Sequence, residues 1–206
     1  MTMSGWKKAA RMLAVLLAAA PAAAGAQQHT DADARFMQGM IVHHAQALEM
    51  TALVPDRASS EGVRLMAERI NVSQQDEIAL MRRWLRARGA DTVALGGHDA
   101  HHGHHAPGAA DSAGAGHAGM PGMATPEEMA RLASLAGAEF DRLFLELMIR
   151  HHEGALVMVA ELFGTQGAGQ ASSVYQIASE VDADQRMEIE RMRRMLAGSL
   201  SGPASQ

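Results

Sequence analysis

Between Phe36 and Val54 the apolar residues Phe36, Met37, Met40, Ala47, Met50 and Val54 return every three or four positions, the period of one face of an α-helix. Thr30 or Asp31 can cap that helix, and Pro55, which has no amide donor, forbids its continuation. A second stripe, running from Val63, Met66 and Ile70 through Ile78 and Met81 to Trp84 and Leu85, predicts a helix from about Asp56 or Ala58 to Arg88, with Gly89 as its stop. Arg82, Arg83, Arg86 and Arg88 crowd its last turns, where the helix dipole favours cations, and read as structural. From 90 to 124 the pattern dissolves into Gly, Ala and His, a composition that cannot bury enough apolar surface to fold alone. Periodicity returns at Thr125-Pro126-Glu127-Glu128, a capping box with Pro at the first helical position. A short helix to about Ser134, a longer one from near Ala138 to Phe163, a turn marked by Gly164, Gly167 and Gly169, and a helix from about Ala171 to Leu196 complete the pattern.

These elements come in two copies. Phe36 to Met50 reads FMQGMIVHHAQALEM and Phe144 to Met158 reads FLELMIRHHEGALVM; QQDEIALMRRWL, Gln74 to Leu85, is matched by QRMEIERMRRML, Gln185 to Leu196. What repeats is a helical hairpin, and two hairpins bury their apolar stripes most simply as a four-helix bundle. In a chain of 206 residues that is 48% hydrophobic but only 3% aromatic, Ala and Met dominate over β-branched residues, so the expected class is all-α. The expected organisation is a first hairpin at 27–89, a flexible His/Gly/Met-rich linker at 90–124, a second hairpin at 125–197 and a disordered tail at 198–206.

Residues 1–26 have the layout of a secretory signal peptide: Lys7, Lys8 and Arg11, then an apolar run from Met12 to Ala20, then small residues ending Ala24-Gly25-Ala26. Cleavage there would leave an exported protein, periplasmic or secreted, with no later segment apolar enough to hold it in a membrane. It would also remove three positive charges and no acids, taking the formal charge from −5 to −8. The remaining cations are arginines scattered among acids, with no basic patch for nucleic acid. Cysteine is absent, so a metal site would be built without thiols, and methionine oxidises only as far as the sulfoxide.

The repeated phrase preserves thioether and imidazole groups while its spacers drift. Around Met40, His43 and His44 fall on either side within one turn, Ala47 follows, Met50 stacks over His43, and Met37 lies one turn below, towards His44. Met148, His151, His152 and Met158 reproduce the arrangement, with Leu145 in place of Met37. The partner helices bring Met81 and Met192 inward, preceded by Glu77 and Glu188, which either orient an imidazole from behind or sit at the exposed edge of the stripe. Neutral, polarisable sulfur is a poor ligand for Mg, Ca or Mn and a good one for Cu(I), and by the same softness for Ag(I). Methionine alone is more often a core filler. Paired histidines on an apolar face, flanked by Met in both hairpins, are expensive to bury for packing alone. In the linker, His98, His101, His102, His104, His105, His117, Met120 and Met123 are auxiliary candidate ligands, or simply polar spacer.

The MIxHHxxAxxM phrases, with E-I-x-x-M-R-R on the partner helices, resemble the bacterial family of the domain of unknown function 305, and within it the CopM-like periplasmic copper-resistance proteins. The resemblance spans about residues 30–88 and 125–197. It implies a ferritin-like four-helix bundle that binds Cu(I) and Ag(I) through Met and His.

The expected function is therefore a periplasmic copper-binding protein that sequesters or relays Cu(I) and contributes to metal tolerance, exchanging the ion with another periplasmic carrier or exporter. Met40, His43, His44, Met50 and Met81 would form one cluster, and Met148, His151, His152, Met158 and Met192 the other. No enzyme is expected. A ferritin-like metal-dependent oxidase would need inward Glu-x-x-His pairs, yet the positions three before the histidines are Met40, Ile41, Met148 and Ile149. A third reading is a metal-free helical interaction module whose histidines sense pH.

Overall fold

The computed structural model describes residues 29–92 and 119–200; the expected signal peptide at 1–26, the histidine tract at 98–117 and residues 201–206 lie outside them. Among the described residues the fold is all-α, with six helices: α1 (Asp31–Ala52), α2 (Val54–Arg57), α3 (Glu61–Arg86), α4 (Pro126–Ser134), α5 (Gly137–Gly164) and α6 (Ser172–Leu200). No helix among them is long and apolar enough to cross a membrane.

Local chemistry sets the boundaries. Thr30 caps α1 through a reciprocal box with Asp33, and Thr125 caps α4 through the same box with Glu128. Pro55 ends α1 but is accepted in the first turn of α2, where its missing donor is not needed. The chain then re-enters helix at Glu61, later than the stripe alone predicts, because Ser60 is the residue whose hydroxyl caps α3. At the other end of α3, Gly89 takes the left-handed conformation, φ 66°. α6 passes through Gly198 to Leu200, overlapping the expected tail, since one glycine costs a helix only about 1 kcal/mol.

α1 packs against α3 and α5 against α6, while α1 and α5 join the two hairpins. Two acids at equivalent repeat positions fasten this junction. Asp33 of α1 is fully buried and accepts from the Gly169 amide at 2.7 Å. Asp141 of α5 accepts from the amides of Ser59 and Ser60, at 3.2 and 2.8 Å, just before α3. Each hairpin thus holds the turn of the other.

The interior is divided. One apolar core gathers Phe36–Ile41 of α1, Ile78–Leu85 of α3, Ala155–Leu162 of α5 and Val174–Val181 of α6. The other gathers Ala47 and Met50, Val63–Ile70, Phe140–Met148 and Met192. Because paired helices run antiparallel, the start of one helix lies level with the end of its neighbour. Between the cores, all four long helices present polar residues: His43 and His44, Gln74 and Glu77, His151 and His152, Gln185 and Glu188.

Candidate metal centre

The four histidines of this polar layer are fully buried. Their Nε2 atoms are all engaged. His44 donates to Glu77 Oε2 at 2.5 Å and His152 to Glu188 Oε2 at 2.7 Å. His43 donates to the Pro121 carbonyl at 2.9 Å, and His151 crosses from α5 to the His43 carbonyl at 2.8 Å. A carbonyl or carboxylate oxygen accepts, so Nε2 carries a proton on each ring, and wherever the ring is neutral Nδ1 keeps its lone pair. None of the four Nδ1 atoms has a hydrogen-bond partner. The rings of His43 and His151 lie 3.9 Å apart between centroids, tilted by 39°, with those of His44 and His152 at 6.4 and 6.1 Å from their sequence neighbours.

Burial, reinforced by the neighbouring His44, depresses His43 to about 3 against the pull of its bond to Pro121. Burial, then His43, holds His151 well below 6.5. Both are neutral near pH 7 and so have a lone pair to offer a cation. Glu77 and Glu188 are largely withdrawn from solvent, with 13% and 7% of their side chains exposed, and back two imidazoles; the alternative of a merely exposed edge does not apply. Glu188 also lines a surface groove of about 500 Å³ with Arg69, Ser73, Asp184, Arg191 and Arg194.

The structure corrects the grouping of the sulfur atoms. Met40 and Met81 belong, with Met37, to the first core, whereas Met50, Met148 and Met192 belong to the second. The first set comes wholly from the first hairpin, whereas the second joins Met50 of the first hairpin to Met148 and Met192 of the second, so Met50 is the residue that changes group. All six are fully buried. Met158 departs from its repeat partner Met50: it is only partly buried, and it lines a surface pocket with Arg35 and Glu161. Its methyl also lies near Gly39, where a Cβ would come within 3.3 Å of it. Met120 and Met123 lie on a packed segment, residues 119–124, and both are partly buried; the expectation of a flexible linker up to residue 124 fails there, because Pro121 and Ala124 are bonded to α1. His98, His101, His102, His104, His105 and His117 lie outside the described residues.

Two further layer residues escaped the sequence reading. Gln74 and Gln185, buried to within 1%, leave both amide atoms of Gln74 and the Oε1 of Gln185 without partners. Each opens a copy of the partner-helix repeat, three residues before the bonded glutamate, which was the available signal. Among the described residues no group of three His, Cys, Asp or Glu side chains stands in metal-holding geometry. Closing a shell around an ion on these imidazoles calls for thioether or amide donors from the adjoining cores.

An all-α chain with buried imidazoles between two methionine-bearing cores belongs to the class of helical proteins with a polar centre. A family model, the domain of unknown function 305, matches residues 33–196, and the chain belongs to that family. Among solved structures it is similar to a member from Streptomyces coelicolor provisionally described as secreted, at 31% identity over 82% of this chain and 92% of that one, TM-score 0.65. A fragment from Deinococcus radiodurans matches at 31% identity over 82% and 97%, TM-score 0.65. CopM in its Cu(I)-bound form shares the fold at 20% identity over 81% and 96%, TM-score 0.59; forms of CopM with Cu(II) and with Ag also match. No curated protein matches the chain in sequence.

Proposed function

We propose that the protein binds monovalent copper, and Ag(I) in its place, at the imidazole layer, and that it does so outside the cytoplasm to sequester the ion or pass it to another carrier or exporter. In this reading the four long helices are a ferritin-like four-helix bundle, residues 1–26 are an export signal, and the protein is a binding protein, not an enzyme. The observation that carries the proposal is the set of four buried Nδ1 atoms without partners, on rings whose Nε2 atoms are all engaged. An unpartnered buried polar atom costs roughly 1–3 kcal/mol, and four of them are hard to explain as packing.

The donor set argues for a soft, singly charged ion. Imidazole and thioether are both neutral, so a buried cation is balanced chiefly by Glu77 and Glu188 behind the rings. Sulfur in both adjoining cores favours Cu(I) over hard ions. The likeness to CopM, bound to Cu(I), Cu(II) and Ag, supports the same choice. Anaerobic titration of residues 27–206 with Cu(I), followed by native mass spectrometry, tests it. Saturable binding that vanishes when His43, His44, His151 and His152 are together replaced by Ala is expected; an absence of saturable binding by the unaltered protein refutes the proposal.

A further inference from the structure

The twofold likeness of the hairpins also breaks at the acceptors of His43 and His151. His151 meets a carbonyl within the helical layer, but its counterpart His43 meets Pro121, on the segment that leads into α4. Gln46, one turn beyond His43, grips that segment with both ends of its amide: Nε2 donates to the Ala124 carbonyl at 2.8 Å, and Oε1 accepts from the Ala124 amide at 2.7 Å. Both partners are buried, so water does not compete for the pair. On the α5 side the segment lies directly on the helix backbone. A Cβ on Gly154 would drive into the Pro121 carbonyl, and one on Gly122, at φ 77°, into the carbonyl of Arg150. Arg150 itself reaches Glu128 in the first turn of α4 through both terminal nitrogens.

These contacts fall on the positions where the two copies of the phrase diverge. Gln46 stands opposite Gly154 in the repeat, and Val42 opposite Arg150. One copy has a gripping amide where the other has an absent side chain, and only their combination leaves room for a segment to cross the layer on one side.

We propose that residues 119–124 are a strap latched over the imidazole layer by Gln46, and that release of this latch sets how fast an ion enters and leaves. Gln46 is a positioning residue: through Ala124 it sets the Pro121 carbonyl on His43 Nε2, which keeps the proton there and Nδ1 facing the interior. When the strap lifts, His43 loses the acceptor that fixes its ring, and the layer opens beside it. The gating role rests on the copper reading above; the hold of the strap on His43 does not.

Two variants test this from different helices, so that a folding failure in one leaves the other informative. Gln46→Leu removes both latch bonds at similar size, and Gly154→Ala pushes against Pro121. Neither residue is a proposed ligand. In the metal-free protein, amide exchange at Ala124 should accelerate by roughly tenfold or more in Gln46→Leu, the scale of two net hydrogen bonds. Nitrogen-15 spectra should show His43 losing its fixed Nε2–H tautomer in both variants while His151 keeps its own. With Cu(I) bound, anaerobic transfer to bicinchoninate should quicken by a similar factor at unchanged stoichiometry. Unchanged exchange at Ala124 and an unchanged His43 tautomer would overturn the latch. Faster exchange with an unaltered transfer rate would overturn the gating role. If the unaltered protein takes up no Cu(I), the copper reading and the gate fall together, while the metal-free measurements still decide whether the strap holds His43.

Discussion

Glu188→Gln isolates the contribution of charge behind one imidazole. The substitution keeps the length of the side chain and an oxygen that can accept from His152 Nε2, now 2.7 Å away, but makes the bond neutral. Hydrogen bonds to charged groups contribute about 1.5–3 kcal/mol and neutral ones about 0.5–1.5, so the exchange removes about 1–1.5 kcal/mol of support for a ring that becomes more positive on binding a cation. That difference corresponds to roughly a tenfold weaker dissociation constant, the lower end of what outer partners of metal-ligating histidines usually contribute. Water cannot replace the lost charge readily, because only 7% of the Glu188 side chain is exposed. Glu190→Gln, on the same helix but solvent-exposed, is the control. Competition against a Cu(I) chelator under anaerobic conditions measures both. Equal affinities for Glu188→Gln and the control, within about a factor of two, would refute the claim that this carboxylate supports the bound ion.

Other predictions follow from the divided interior. The paired substitutions Met40→Leu/Met81→Leu and Met148→Leu/Met192→Leu conserve volume, so each residue should alter stability by less than about 1.5 kcal/mol. Each pair should nevertheless weaken Ag(I) binding from its own core, as read by calorimetry; undiminished binding in both would remove sulfur from the site. Gln74→Leu deletes two unpartnered buried amide atoms and should raise the stability of the metal-free protein by about 1–3 kcal/mol in urea denaturation, and a loss of that size would mean the amide is satisfied. Acid should act in the opposite direction. His43 titrates near 3 in the fold and near 6.5 when unfolded, so below 6.5 the unfolded chain binds a proton that the folded chain refuses. The stability present above pH 6.5 is lost as pH falls towards 3, by about 2 kcal/mol at pH 5 from His43 alone, with His151 adding in the same sense. Equal denaturation midpoints for the metal-free protein at pH 7 and pH 5 would contradict it.

Features carried by local periodicity and capping were legible in the sequence. The stripe from Phe36 to Met50 marks the buried face of α1, and Thr30 and Thr125 mark helix starts, because these signals act within one or two turns. The delayed start of α3 was hidden, since it depends on Ser60 and on a carboxylate 81 residues away, Asp141. The distribution of methionines was hidden for a related reason. Spacing along one helix tells which residues share a face, but the relative direction of two helices decides which share a level. Reading Met40 and Met50 together treated them as neighbours of one ion, whereas ten residues of rise along α1, about 15 Å, carry them to opposite cores, and antiparallel packing sets Met50 level with Met148 of α5. The strap was misread because Gly and Pro signal a loop by composition, and the residues that pin it, Gln46 and Gly154, look like drift between repeats until the segment is seen lying on them.

The polar layer has a thermodynamic consequence that separates binding from mere packing. Eight polar side chains interrupt what would otherwise be one continuous apolar interior, and several of their atoms lack partners. A metal-free fold selected only for stability would gain by filling those positions with Leu or Ile, whose burial contributes about 1.5–3 kcal/mol each. A binding protein has the opposite requirement. Its donors must be desolvated beforehand and held with lone pairs inward, so that stability given up in the empty state is recovered when an ion joins them. The two sides of the layer differ: His44 and His152 are backed by carboxylates on their own hairpins, whereas His43 is backed by Pro121 of the segment proposed as a strap. Under the two proposals together, one side of the layer holds the ion and the other exchanges it.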